Sequence, residues 1–282
     1  MASVFFRRAL VLVRGGGDLA SGAIYRLHRA GFPVIVTELA QPLLVRRAVC
    51  YGSAIYEGVM EIDGVSAQRA ETDHAVGAML ASGVVPVLAD PDGQAIRRLS
   101  PAVVLDGRMA KKNLGTRLDD APLVVALGPG FTAGTDCHAV IETNRGHDLG
   151  RVIWQGAAEA DTGEPGITAG QSHSRVLRAP SAGYVQAYRQ IGEIIEAGQV
   201  IASVNGQSVV AAFTGVLRGL IHEQVRVEAG AKIGDLDPRI RRENCFTISD
   251  KSLAVGGGVL EAVLAAPQVR PYLTGYEAPT RI

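Results

Sequence analysis

The sequence predicts an α/β domain followed by an all-β module, on three observations. An apolar strand at 11–13 runs into the glycine turn Gly15-Gly16-Gly17. A second strand at 33–37 closes on the acid Glu38. A repeat with an offset of 32 residues occupies positions 179–233. The stretch between the two strands has a helical pattern, with Ile24 and Leu27 on one face and Gly31 at its end. Strand, glycine turn, helix and strand form one unit, and Gly15, Gly17 and Ala20 match the G-x-G-x-x-G/A pattern of a Rossmann-like turn. Glu38 stands 21 residues past Gly17, at the spacing of an acid that holds a ribose hydroxyl.

Each residue of the turn has a physical task. Gly15 permits the tight turn, Gly17 lets a phosphate approach the backbone, and Ala20 lets the helix lie close to the strand. The helix start offers unpaired N–H groups and a positive dipole end to an anion. Asp18 opposes a phosphate by charge and suits a helix cap instead. No Gly-Lys-Ser/Thr follows the glycines, so the turn is not a P-loop.

Strand and helix patterns alternate to about residue 110, with further strands at 54–56, 84–88 and 102–106 and a helix over 67–82. Residues 1–110 are therefore read as a Rossmann-like α/β domain. Residues 111–175 read as a mixed glycine-rich connecting region, with strands at 123–127, 138–143 and 151–155 and a long loop over 157–174. Residues 241–282 read as a helical tail, interrupted by Gly256-Gly257-Gly258, that packs back on the α/β domain.

Residues 176–240 contain the repeat. Residues 179–185 align with 211–217, and Glu196-Ala197-Gly198 with Glu228-Ala229-Gly230, without a gap. Short β units of this kind cannot bury a face alone, so the copies should pack on each other. The pattern resembles the half-repeat of the biotinyl/lipoyl-type barrel-sandwich, or hammerhead, fold. The corresponding hairpin, Asn205-Gly206, carries no lysine, which speaks against a swinging-arm carrier. Lys232 reads as a solvated surface residue.

Two further turns at strand ends could bind an anion. Arg108, Lys111 and Lys112 follow the strand at 102–106, where a cluster of cations suits an oxyanion or is simply a solvated loop. Gly128 and Gly130 follow the strand at 123–127 and form either a backbone nest or a structural turn. Gly22, inside the first helix, joins Gly15 and Gly17 as a residue that would approach a phosphate. His138 and Glu142 share one face of an extended strand; metal ligation there is a minority reading beside a structural histidine. No Ser-His-Asp arrangement follows from spacing, and no metal site is assigned.

Composition narrows the partners. Lys+Arg and Asp+Glu are 28 each, which argues against a nucleic-acid or membrane-surface binder. Three scattered cysteines fit a reduced, cytoplasmic setting. No apolar run approaches the ~18 residues of a membrane helix, and the apolar start reads as the first strand rather than as a signal peptide.

Taken together, the motifs resemble one family. They are 14–22, Thr37-Glu38 with Arg46-Arg47, 108–113, 128–134, 138–153, 232–239 and the glycines at 256–258. The likeness is to the YqeB-type accessory proteins of the selenium-dependent molybdenum hydroxylase system. It implies a maturation factor for a molybdenum hydroxylase that binds a nucleotide or phosphorylated ligand, such as a molybdopterin-type cofactor. The partners it implies are the hydroxylase or its cofactor-loading proteins. The residues assigned to that ligand are Gly15, Gly17, Asp18, Gly22, Glu38, Arg108, Lys111, Lys112, Gly128 and Gly130. Two alternatives stay open: an NAD-dependent oxidoreductase, with Glu38 on a free ribose hydroxyl, and a non-catalytic scaffold between hydroxylase and loading proteins. Whether any reaction is catalysed, and whether the chain forms a homo-oligomer, is left open by the sequence.

Overall fold

The computed structural model describes residues 4–161, 163 and 173–274. In chain order the first part contains β1 (Val11–Arg14), α1 (Asp18–Arg29), β2 (Val34–Glu38), α2 (Ala54–Glu57), β3 (Val59–Ile62) and β4 (Val65–Arg69). Then come α3 (Asp73–Ala81), β5 (Val85–Ala89), α4 (Gln94–Leu99), β6 (Val103–Asp106) and β7 (Leu123–Leu127). The short β8 (Thr132–Ala133), β9 (Ala139–Ile141), β10 (Val152–Ile153) and β11 (Gly156–Ala157) follow.

Nine of these strands form one mixed sheet in the order β10-β9-β7-β6-β1-β2-β5-β4-β3. Its seven inner strands are parallel, and β3 and β10 are antiparallel edges. The central strands β1, β6 and β7 are buried, mostly apolar runs, as strands covered on both faces require. One face packs with α1 and the C-terminal helix through Val11, Val13, Ile24, Leu27, Val255 and Val259; the other holds Leu12, Ile35, Val104 and Phe131. Strands β8 and β11 pair separately.

The second half contains β12 (Val176–Arg178), β13 (Gly183–Ala187), β14 (Ile194–Ile195), β15 (Val200–Val204) and β16 (Gln207–Val210). It continues with β17 (Gly215–Leu220), β18 (Arg226–Val227), β19 (Lys232–Asp237), α5 (Asp250–Ala265) and α6 (Arg270–Leu273). The 32-residue repeat is visible in the strand starts, with β13, β14 and β15 answered by β17, β18 and β19. The copies exchange their middle strands: β14 pairs with β17, and β18 with β13. Asn205 and Gly206 both have positive φ, the conformation a two-residue hairpin needs.

The expected fold class is corrected. A Rossmann-like domain plus a barrel-sandwich module does not describe this molecule. It has a nine-stranded mixed sheet that gathers strands up to residue 153, and three small antiparallel sheets. The physical reason lies in short apolar runs, whose periodicity does not separate strand from helix. Residues 54–56 are helical, not a strand, and the edge hairpin β3–β4 carries too weak an alternation to be seen. The loop expected over 157–174 lies largely outside the described residues.

Helix α5 passes unbroken through Gly256-Gly257-Gly258 and crosses α1. A Cβ on Gly22 would land on the Ser252 carbonyl, one on Gly256 on the Gly22 carbonyl, and one on Gly258 on the Gly150 carbonyl. The glycines thus serve close backbone packing. Among the described residues, no helix is long and apolar enough to cross a membrane.

Candidate functional site

Strand order reverses at β1, which has β2 on one side and β6 on the other. A crevice opens outside the carboxyl ends of strands at such a point. Here it is a cleft of about 1000 Å³, floored by the residues that end β1 and β2 and those that follow β5 and β6, and walled by Leu43 to Arg46. Lys232, at the start of β19, lines it from the second half of the chain.

The glycine turn divides into two kinds of residue. Gly15 has φ 90°, and a Cβ there would meet the Arg108 backbone at 2.9 Å; at Gly16 it would meet Gly52. Both are required by packing. Gly17 has φ −72°, open to any residue, and a Cβ there would touch only Leu44 Cδ2 at 3.7 Å. Gly17 therefore looks onto open cleft at the start of α1, where first-turn amides have no intrahelical partner. No side chain caps this helix end.

The charged groups are mostly paired. Asp18 accepts from Arg46 Nη1 at 2.6 Å and from Ser252 Oγ at 2.9 Å, tying α1 to α5. Arg108 grips Asp106 through Nε and Nη2, and Thr116 Oγ1 donates to the same carboxylate at 2.6 Å. Arg14 Nη1 donates to Thr116 Oγ1 at 2.8 Å; burial, then the Arg108 charge, lowers its pKa from the usual arginine value. Glu38 accepts from Gly16 N at 2.8 Å and Leu39 N at 3.0 Å; burial raises its carboxyl pKa against the pull of those two bonds. Asp90 caps α4 by accepting from the Gln94 and Ala95 amides, each at 2.9 Å.

Lys232 differs. Among the described residues no hydrogen bond or ion pair engages its ammonium. Asp235, its neighbour on β19, is held by Arg175 Nε and Nη2 at 3.1 and 3.0 Å. Desolvation lowers the Lys232 pKa, as does the Arg175 charge, while Asp235 opposes the shift.

The structure brings Gly15, Gly17, Asp18, Glu38 and Arg108 together at the cleft. The other residues assigned from sequence lie elsewhere. Gly22 is buried at the α1–α5 crossing. Lys111 Nζ pairs with Asp161 at 2.6 Å, and Lys112 is exposed outside the cleft lining. Gly128 packs against Thr143, and Gly130 against the backbone of Lys111 and Lys112. His138 Nδ1 accepts from Val124 N, and Glu142 accepts from the Asn144 and Glu159 amides, so both have structural tasks. Among the described residues no group of three His, Cys, Asp or Glu could hold a metal.

Sequence reasoning missed Arg14, Arg46 and Lys232 at the cleft. Lys232 stands where the first copy of the repeat has Val200, and both positions are exposed, so its place at the cleft left no signal in the repeat.

No family model matches the chain. The chain is similar to the protein named "Uncharacterized protein YqeB" of Escherichia coli (strain K12), at 46% identity over 255 residues. The match takes in 90% of this chain and 47% of that protein, so the chain spans about half the length of the relative. The name agrees with the YqeB-type resemblance and carries no link to selenium or to a molybdenum hydroxylase. Among solved structures, an aspartoacylase family protein of Mesorhizobium loti aligns at 14% identity and TM-score 0.24, covering 81% of this chain and 84% of its own. The succinylglutamate desuccinylase/aspartoacylase of Rhodobacter sphaeroides aligns at 13% and 0.26, with the same coverage. An ectoine utilization protein of Ruegeria pomeroyi aligns at 9% and 0.23, covering 75% of this chain and 61% of its own.

At those TM-scores no fold or activity is transferred. Neither these alignments nor the relative's name supports service to a molybdenum hydroxylase, and the maturation reading is withdrawn. The electrostatics correct the nucleotide reading, the NAD-dependent alternative included. Arg14, Arg46, Arg108 and Lys232 line the cleft, but so do Asp18, Glu38, Asp90 and Asp92. A pyrophosphate would bring two or more negative charges against four acids, with the Gly16 amide already given to Glu38. The scaffold alternative has no observation behind it.

Proposed function

We propose that the cleft binds a small organic ligand with one negative charge, or a zwitterion, on an apolar body. Gly17 carries this reading. Its missing side chain is unexplained by packing and leaves the start of α1 open to an anion. The balance of cleft charges suits a singly charged ligand better than a polyphosphate. Leu39, Leu43 and Leu114 are 43%, 64% and 46% exposed and line the same cleft, where an apolar body would cover them. Gly15, Asp18, Glu38 and Arg108 shape the site, and Lys232, without a partner among the described residues, lines it.

Gly17→Val tests it. The cost to stability is expected to stay near ~1 kcal/mol, since valine is only a poorer helix cap than glycine. Ligand affinity is expected to fall at least tenfold, or ~1.4 kcal/mol. Thermal unfolding with aryl carboxylates and with inorganic pyrophosphate reads both. Stabilisation of the wild type by pyrophosphate alone, or equal ligand response in Gly17→Val, would overturn the proposal.

A further inference from the structure

Among the described residues, two charged side chains of the cleft, Asp92 and Lys232, have neither a hydrogen bond nor an ion pair, and Lys232 is the cation of the two. Arg14, Arg46 and Arg108 each donate to a side-chain oxygen in or beside the cleft. Asp18, Glu38 and Asp90 each accept at least two hydrogen bonds. Lys232 alone among the cleft cations is left without a partner among the described residues, although it is exposed and lines the cavity. It occupies the repeat position that Val200 holds in the first copy, so the β architecture does not call for an amine there.

We infer that Lys232 is a nucleophile toward a carbonyl-bearing ligand, and that the ligand class is a small oxo acid with an apolar body. This rests on the anion-binding reading of the same cleft. The ligand's carboxylate lies toward the start of α1, and its carbonyl carbon is presented to Nζ. In the amine form, Nζ attacks that carbon with its lone pair as the carbonyl π pair moves to oxygen, and the proton that the nitrogen then sheds passes to that oxygen to give a neutral carbinolamine. The hydroxyl takes up a proton from solvent and leaves as water while the nitrogen's freed electron pair forms the C=N bond, which leaves a protonated imine. No oxidant or reductant is needed.

The environment supplies what the step requires. A lysine is a nucleophile only without its proton, and the lowering of the Lys232 pKa by partial desolvation and by the Arg175 charge favours that form, although the side chain stays exposed to the cleft. The groups facing Lys232 are Asp235 on β19, Arg175 before β12, Asp18 on α1 and Arg46 on the cleft wall. Both acids are held by those two arginines, which limits their hold on the ammonium.

The experiment uses phenylpyruvate as the probe and borohydride to reduce any imine in the full chain. The expected product is one adduct, of the probe less one oxygen atom, on the peptide containing Lys232. It should be absent in Lys232→Arg and suppressed by 3-phenylpropanoate, which has the carboxylate and ring but no carbonyl. The chain has four lysines, at 111, 112, 232 and 251, so peptide mapping assigns the site directly. Adducts spread over Lys111, Lys112 or Lys251 would overturn the inference. Saturation-transfer NMR on the wild type separates the two readings. Binding without trapping removes the nucleophile and leaves the anion cleft; neither binding nor trapping removes both.

Discussion

Gly22→Val is expected to destabilise the protein by ~3 kcal/mol or more, enough to lose most of the folded population of a marginal domain. The new side chain would start on the Ser252 carbonyl, a backbone atom of α5 that cannot swing aside. Relief requires α1 and α5 to separate, which opens the core where Val11 and Val13 of β1 pack with Val255 and Val259 of α5. Gly256→Val should behave alike, because its Cβ meets the Gly22 carbonyl from the other helix. Gly257 is the control. It lies between two packed glycines in the same helix, yet nothing stands within 4 Å of its Cβ position. Gly257→Ala is expected to raise stability by ~0.5–1 kcal/mol through helix propensity alone. Urea denaturation of the three variants reads all of this. Equal destabilisation by all three would mean that the helix, not the crossing, demands the glycines.

Arg108→Ala is expected to cost ~3 kcal/mol. Asp106 ends β6 with 1% of its surface exposed, and the guanidinium is its main counter-charge. Removing it leaves a buried carboxylate with the Thr116 hydroxyl and the Arg108 amide as its hydrogen-bond partners. Asp106→Asn in the same chain should restore part of the loss, because the orphaned charge goes with it. The double-mutant cycle by denaturant unfolding measures this coupling. Additive losses would show that Arg108 acts through packing rather than through the carboxylate.

Different parts of this molecule were legible to different degrees. The strands at 11–14 and 34–38 and the helix between them follow from local signals: continuous apolar runs, a glycine break and an acid at the strand end. The repeat was equally plain, because an ungapped offset needs no structural knowledge. Sheet membership was not legible. Nothing local in Leu123–Leu127 or Ala139–Ile141 says that these strands extend the first sheet, since that pairing is set by distant neighbours. The site shows the same division. Gly17 and Glu38 sit on one continuous unit and could be placed together. Gly22 shares the glycine-rich context but belongs to a helix crossing whose other half is more than 200 residues away. Lys111 and Lys112 follow a strand end, yet the chain turns them away from the crevice. A basic run states its charge without stating its direction.

The pairing of Asp18 with Ser252 also sets a schedule. The two residues are 234 positions apart. At about 5–20 residues per second, a ribosome needs on the order of 10–50 s between making the first and the second. During that interval the nascent chain has its glycine turn and the Arg46 partner of Asp18, but the face of α1 around Gly22 has no helix to meet. The start of α1 gains its second tie when α5 emerges and docks. A chain that stops before residue 250 therefore lacks the Ser252 contact that ties α1 to α5.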